Sequence, residues 1–167
     1  EIFKAFEEST GINVDYLDMS SGEVLARIRA EKGKPIGDIW FGGGVDSFIA
    51  AKNDGLLESY ISPESSHVPP QFKDKEGYWT GLSLVTVNFI VNKAVCEEKG
   101  LPIPQSWSDV IKPEFKGEVL MSDPSISGTA YTILSGLLQQ LGEEKGWSFM
   151  EQLHTNIPYY AKRGSEP

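Results

Sequence analysis

Basic charge is scarce in this sequence. Its 167 residues carry 15 Lys+Arg against 24 Asp+Glu, a formal net charge of −9. The deficit is shared: residues 1–90 hold 8 basic against 14 acidic side chains (−6), and residues 91–167 hold 7 against 10 (−3). Neither half offers the basic face that a nucleic-acid backbone requires, so no nucleic-acid partner is expected. Cysteine is nearly absent. Cys96 stands alone within Ala94–Glu98, which excludes an internal disulfide and reads as a small, semi-buried helical residue. No apolar run is long enough to span a bilayer, and none reads as a signal peptide. The two histidines, His67 and His154, are far apart and lack metal-ligand spacing. Both read as surface residues, and neither a metal nor another cofactor is expected. Catalytic signatures are missing as well: no Gly-x-Ser-x-Gly elbow, no His-Glu-x-x-His, no P-loop and no dinucleotide glycine pattern. Ser127 has no histidine placed by sequence to activate it. The expectation is a binder with no catalytic residues.

What is present is the composition of a globular α/β chain, 40% hydrophobic and 23% charged. The first half alternates helical and strand patterns. A helix to about Ser9 ends at Gly11, and Ile12–Tyr16 alternates like a strand. Glu23 to about Ala30 is helical, Gly37–Phe41 is a short apolar strand, and Val45 to about Asn53 is a helix. This is the rhythm of a parallel sheet covered by helices. Ser62–Pro70 reads as loop and Lys73–Trp79 as a charged turn. Leu82–Asn92 is a β-branched run longer than most strands, long enough to cross between lobes. A second rhythm follows: a helix from Ala94 to Gly100, a capped helix start at Ser106–Asp109, and a strand at Gly117–Ser122. Helices at Thr129–Leu141 and Lys145–Leu153 and a strand at Ile157–Ala161 complete it. Trp40, Trp107 and Trp147 read as core. No capping residue precedes the opening helix, and the sequence stops in the turn Lys162–Pro167, so it reads as a piece of a longer protein.

Three places share one geometry, a strand end followed by small or hydroxyl residues and a helix start: Ser20-Ser21-Gly22, Gly42-Gly43-Gly44 and Ser125 to Ala130. A helix N-terminus presents unpaired N–H donors and partial positive charge, and glycine or serine lets a ligand approach that backbone. Ligands of open α/β sheets bind beyond the carboxyl ends of the strands, where all three places fall. Serine ahead of a helix is commonly only a cap, and a triple glycine only a tight turn. The Ser125–Ala130 stretch offers three hydroxyls and a glycine, more than one cap needs. The expected ligand-binding set is Ser20, Ser21, Gly43, Gly44, Ser125, Ser127, Gly128, Thr129 and Ala130. Trp79 is a further candidate to line a cleft, with packing the competing reading.

Met19-Ser20-Ser21-Gly22-Glu23, Asp38–Gly43, Lys112–Gly117 and Asp123–Tyr131 together resemble the extracytoplasmic solute-binding proteins of ABC importers. The similar group binds ferric iron, thiamine, aminoalkylphosphonates or sugar phosphates. The resemblance implies a type 2 periplasmic-binding-protein fold: two lobes, each a mainly parallel sheet flanked by helices, here incomplete at both ends. Lobe one is expected over residues 1–85, a hinge or crossing strand over 86–92, and the N-terminal part of lobe two over 93–167. It further implies a small anionic solute (a phosphonate, phosphate ester or similar) held in the cleft, with ferric iron or thiamine as alternatives. A ligand-sensing domain of a regulator or receptor is the alternative of another class. The implied partner is a membrane permease, and the implied location is extracytoplasmic, in the periplasm or lipid-anchored at the cell surface. The whole protein would be monomeric, while a piece of it would expose surface that favours oligomers. Iron-binding members use a tyrosine pair, but Tyr159 and Tyr160 are neighbours in a strand and point to opposite faces, so both do not readily reach one metal, and the Ser-Gly-Thr stretch suits an organic anion better than bare iron.

Overall fold

Local signals account for the helices. The computed structural model describes residues 1–167. Its helices α1 (Ile2–Thr10), α2 (Ser21–Ala30), α3 (Val45–Asn53) and α4 (Lys93–Lys99) precede strand β1 (Met121–Ser122). Helices α5 (Gly128–Leu141) and α6 (Glu143–Asn156) and strand β2 (Tyr160–Ala161) follow. α1 stops at Gly11 and α4 at Gly100, both left-handed (φ 71° and 64°), a conformation that glycine adopts without a Cβ penalty. α4 starts on Asn92, whose side chain accepts the Val95 N–H at 3.2 Å. β1 and β2 pair in parallel, Met121 beside Tyr160 and Ser122 beside Ala161.

The core lies in the second half. Val110, Met121, Ala130, Leu137, Phe149, Leu153 and Ile157 form one buried cluster, with Trp107, Ile111, Ile133 and Tyr160 packed against it. α5 and α6 cross closely at Gly146, where an added Cβ would stand 2.8 Å from Leu138 Cδ2 and 3.0 Å from Leu138 Cα. Asn156 ties the loops to this core. Its amide donates to the Val110 and Lys112 carbonyls at 2.8 and 2.9 Å, and its own carbonyl accepts Gly117 N–H at 2.9 Å. The first half is held by smaller groups. Trp40 stacks on Phe48 with centroids 4.2 Å apart. Lys52 on α3 reaches Asp74 at 2.8 Å and Glu76 at 2.5 Å beneath the Tyr78 ring, anchoring the Lys73–Thr80 hairpin.

Several expected elements differ. Ile12–Tyr16, Gly37–Phe41 and Leu82–Asn92 form no ladder with any other segment. Strand formation needs a hydrogen-bonded neighbour, and these segments have none here. Most of their apolar side chains stay exposed, Ile39 at 82% and Ile90 at 97%. Gly117–Ser122 and Ile157–Ala161 shorten to the two-residue strands β1 and β2. Ser106–Asp109 is a turn rather than a helix start. Its capping chemistry is present, with Asp109 Oδ2 accepting the Ser106 N–H and Oγ–H at 2.9 Å, but no helix continues from it. Trp147 is 51% exposed rather than core, because it faces outward on α6. Trp40 and Trp107 are half-buried, and Cys96 is buried as expected. No helix is long and apolar enough to cross a membrane.

Candidate binding site

Both strands direct their carboxyl ends to the same place. β1 runs into Asp123–Ser127, which loops straight into α5. Asp123 builds that loop: its N–H donates to Ala161 O at 2.8 Å, its carbonyl accepts Ser127 N–H at 2.8 Å, and its carboxylate accepts the Ser125 N–H and Oγ–H at 2.8 and 2.7 Å. The Ser125 bonds hold the Asp123 carboxyl below its ordinary range. Ser127 caps α5, its Oγ accepting Ala130 N–H at 3.4 Å. An equivalent arrangement opens α2, where Ser20 donates both its N–H (2.9 Å) and its Oγ–H (2.8 Å) to Glu23. Those two bonds, backbone first, lower the Glu23 carboxyl, with smaller help from the Arg163 and Lys162 charges.

The three helix starts meet. A Cβ added to Gly128 would stand 2.9 Å from Ser21 Oγ and 3.5 Å from Gly44 N. One added to Gly43 would stand 2.8 Å from Ser21 Oγ. Gly22 donates its N–H to Ile126 O at 3.0 Å, and a Cβ there would reach the Ser125 and Ile126 carbonyls at 2.8 and 2.9 Å. Glycine is therefore required at 22 by close backbone approach, whereas at 128 the near neighbour is the Ser21 side chain. The N-termini of α2, α3 and α5 thus converge, each carrying about +0.5 elementary charge in the helix-dipole picture. Such an arrangement is self-repelling unless negative charge sits among the helix starts. Part of that charge is internal, since Asp46 lies two residues into α3 with its carboxylate against Gly44.

The expected residues divide by what they do. Ser21, Gly43, Gly44, Gly128 and Thr129 gather at the junction, together with Ser127, which is 3% exposed and whose hydroxyl caps α5. The hydroxyls of Ser20 and Ser125 are engaged in their own turns. Ala130 is 1% exposed, part of the core, with its N–H on Ser127. Trp79 stands in the separate Lys73–Thr80 hairpin, its carbonyl accepting Asp74 N–H at 2.9 Å. Tyr159 is 60% exposed while Tyr160 turns inward and bonds His154 Nδ1 at 2.9 Å. No three His, Cys, Asp or Glu side chains stand together as a metal-holding group.

Sequence reasoning missed Asp46 and the turn after β2. Gly164 packs directly on Thr129 and lies over Ser127 Oγ, the Arg163 carbonyl accepts Ser122 Oγ–H at 2.6 Å, and Arg163 pairs with Asp18 at 2.7 Å. The signal was available, because the strand-end rule applied to β2 leads to residues 162–164.

A family model for bacterial extracellular solute-binding proteins matches residues 34–165. An uncharacterised protein of Haemophilus influenzae is 34% identical over 98% of this chain and 49% of its own length. The periplasmic binding protein AfuA from Actinobacillus pleuropneumoniae, solved with fructose-6-phosphate bound, superposes with a TM-score of 0.87. It is 36% identical, over 97% of this chain and 52% of that one. A ferric binding protein from Campylobacter jejuni superposes with a TM-score of 0.71 at 22% identity, over 95% of this chain and 49% of that one, a likeness of fold alone. This chain spans about half the length of the curated relatives it matches.

Proposed function

Because this chain belongs to the family of bacterial extracellular solute-binding proteins, we propose that it forms half of a receptor that captures a small phosphorylated solute for an ABC importer. The observation that carries this reading is the convergence of the α2, α3 and α5 N-termini around Ser21, Gly44 and Gly128. Helix starts with partial positive charge and small side chains suit a phosphate ester. The fructose-6-phosphate bound to the structural relative supports the same chemistry. In this reading Ser21, Gly43 and Gly44 face the solute from residues 1–85, Ser127, Gly128 and Thr129 face it from residues 93–167, and closure occurs about residues 86–92. The protein acts outside the cytoplasmic membrane and hands its solute to a membrane permease.

Calorimetry on the native-length protein tests this, with fructose-6-phosphate, an aminoalkylphosphonate, inorganic phosphate, thiamine and a ferric salt as titrants. A phosphate or phosphonate ester is expected to bind most tightly. Replacing Ser127 and Thr129 together by Ala is expected to weaken that binding by about ten-fold or more, since hydrogen bonds to charged groups contribute about 1.5–3 kcal/mol each. Unfolding midpoints separate this from the loss of the α5 cap. Unchanged affinity in a folded double variant refutes the site, and preference for the ferric salt refutes the solute class.

A further inference from the structure

One charged contact ties the two sides of the junction together. Arg163 Nη1 donates to Asp18 Oδ2 at 2.7 Å and Nη2 to the Asp18 carbonyl at 3.3 Å, across 145 positions of sequence. Both ends are anchored near helix starts. The Arg163 carbonyl holds Ser122 Oγ–H, and Gly164 rests on Thr129 at the start of α5. Asp18 lies two residues before Ser20, which opens α2. The chain's other arginines are occupied within the first half, Arg27 with Glu31 and Arg29 with Asp54. Beside this ion pair the only other backbone tie between these starts is Gly22 N–H to Ile126 O.

We propose that Arg163 is a positioning residue for solute capture. Through Asp18 it draws the α2 start onto the α5 start, setting the closed arrangement in which Ser21, Gly44 and Gly128 face one another. The inference rests on the solute-binding reading above. Its side chains are 45% and 71% exposed, so the pair biases closure without dictating it, and added salt weakens it.

The test uses the native-length protein with spin labels at Ala26→Cys on α2 and Gln139→Cys on α5, in a Cys96→Ala background, and fructose-6-phosphate as the probe. Arg163→Gln is expected to lengthen the ligand-free inter-label distance and to weaken affinity about two- to five-fold, the range set by exposed ion pairs. The exchange Asp18→Arg with Arg163→Asp is expected to restore both, and high salt to narrow the difference between wild type and variant. Unchanged distance and affinity in Arg163→Gln overturn the proposal, as does an exchange that recovers neither. Lost affinity with an unchanged distance also overturns it, because Arg163 then touches the solute directly. A lengthened distance in a protein that binds no phosphate ester upholds the positioning role while refuting the solute class.

Discussion

Asp109 carries four hydrogen bonds on one carboxylate. It accepts Lys112 Nζ at 2.6 Å and, at 2.9 Å each, the Gln105 N–H, the Ser106 N–H and the Ser106 hydroxyl. The Lys112 bond first, then those from Gln105 and Ser106, hold its carboxyl far below the ordinary 3.8. A carboxyl lowered in the folded state binds its proton more weakly there than in the unfolded chain. Its stabilisation is therefore complete above the ordinary carboxylate range and is lost as the pH falls toward the folded value. Asp74, lowered mainly by Lys52, and Glu23, lowered by Ser20, act in the same direction. Asp109→Asn is accordingly expected to destabilise most at about pH 7 and by less at about pH 3, where the unfolded carboxyl is already largely protonated while the folded one stays ionised. Urea unfolding at stepped pH measures the gap. A gap of equal size at both pH values refutes the charge argument and leaves only lost geometry.

Two glycines inside helices give opposite expectations. Gly146 on α6 meets the Leu138 side chain and backbone at 2.8 and 3.0 Å from an added Cβ, whereas Gly136 on α5 meets nothing within 4 Å. Alanine at 136 gains helix propensity and is expected to stabilise by about 0.5–1 kcal/mol. Alanine at 146 forces α5 and α6 apart and is expected to destabilise by about 1–3 kcal/mol, as overpacking does. Thermal midpoints of the two variants should move in opposite directions, and equal shifts refute the crossing geometry. The same locality explains what was legible in the sequence. Gly128–Leu141 carries its own Ser127 cap, apolar periodicity and Gly142 terminator, and Val45–Asn53 is bracketed by Gly44 and Gly55, so their helices can be read directly. The strand pattern of Leu82–Asn92 is equally clear, but a strand is completed by a ladder partner that sequence spacing does not name. The site divides likewise. The glycine and serine turns announce helix starts, while the meeting of Ser21 with Gly128 and of Asp18 with Arg163 is a product of tertiary packing. Ser20 and Ser125 have the right chemistry, yet Glu23 and Asp123 lie within hydrogen-bonding reach and take their hydroxyls.

Across the whole molecule, order and burial are unevenly distributed. The contiguous core draws every member from Val110 to Ile157, and the segments packed on it run from Trp107 to Tyr160. By contrast Ile12, Leu17, Ile36, Ile39, Leu82, Leu84, Val85 and Ile90 are exposed, and their segments donate no ladder hydrogen bonds. Local opening free energy follows burial and backbone pairing. In the 167-residue chain taken alone, the amides of α5, α6 and β1 are therefore expected to exchange with solvent slowest. Those of residues 11–17, 36–41 and 82–92 should exchange near the rate of unstructured peptide. Exposed apolar segments with open backbone groups also template pairing with other chains, so that fast exchange should slow as concentration rises and the chains associate. Hydrogen exchange followed by mass spectrometry at two concentrations measures both effects. Protection of residues 82–92 equal to that of Leu137 and Leu153 at low concentration contradicts this account. It would mean that the extended run is already paired within a single chain, and the stability of the junction between α2 and α5 would then have to be assigned to that pairing as well as to the core between Val110 and Ile157.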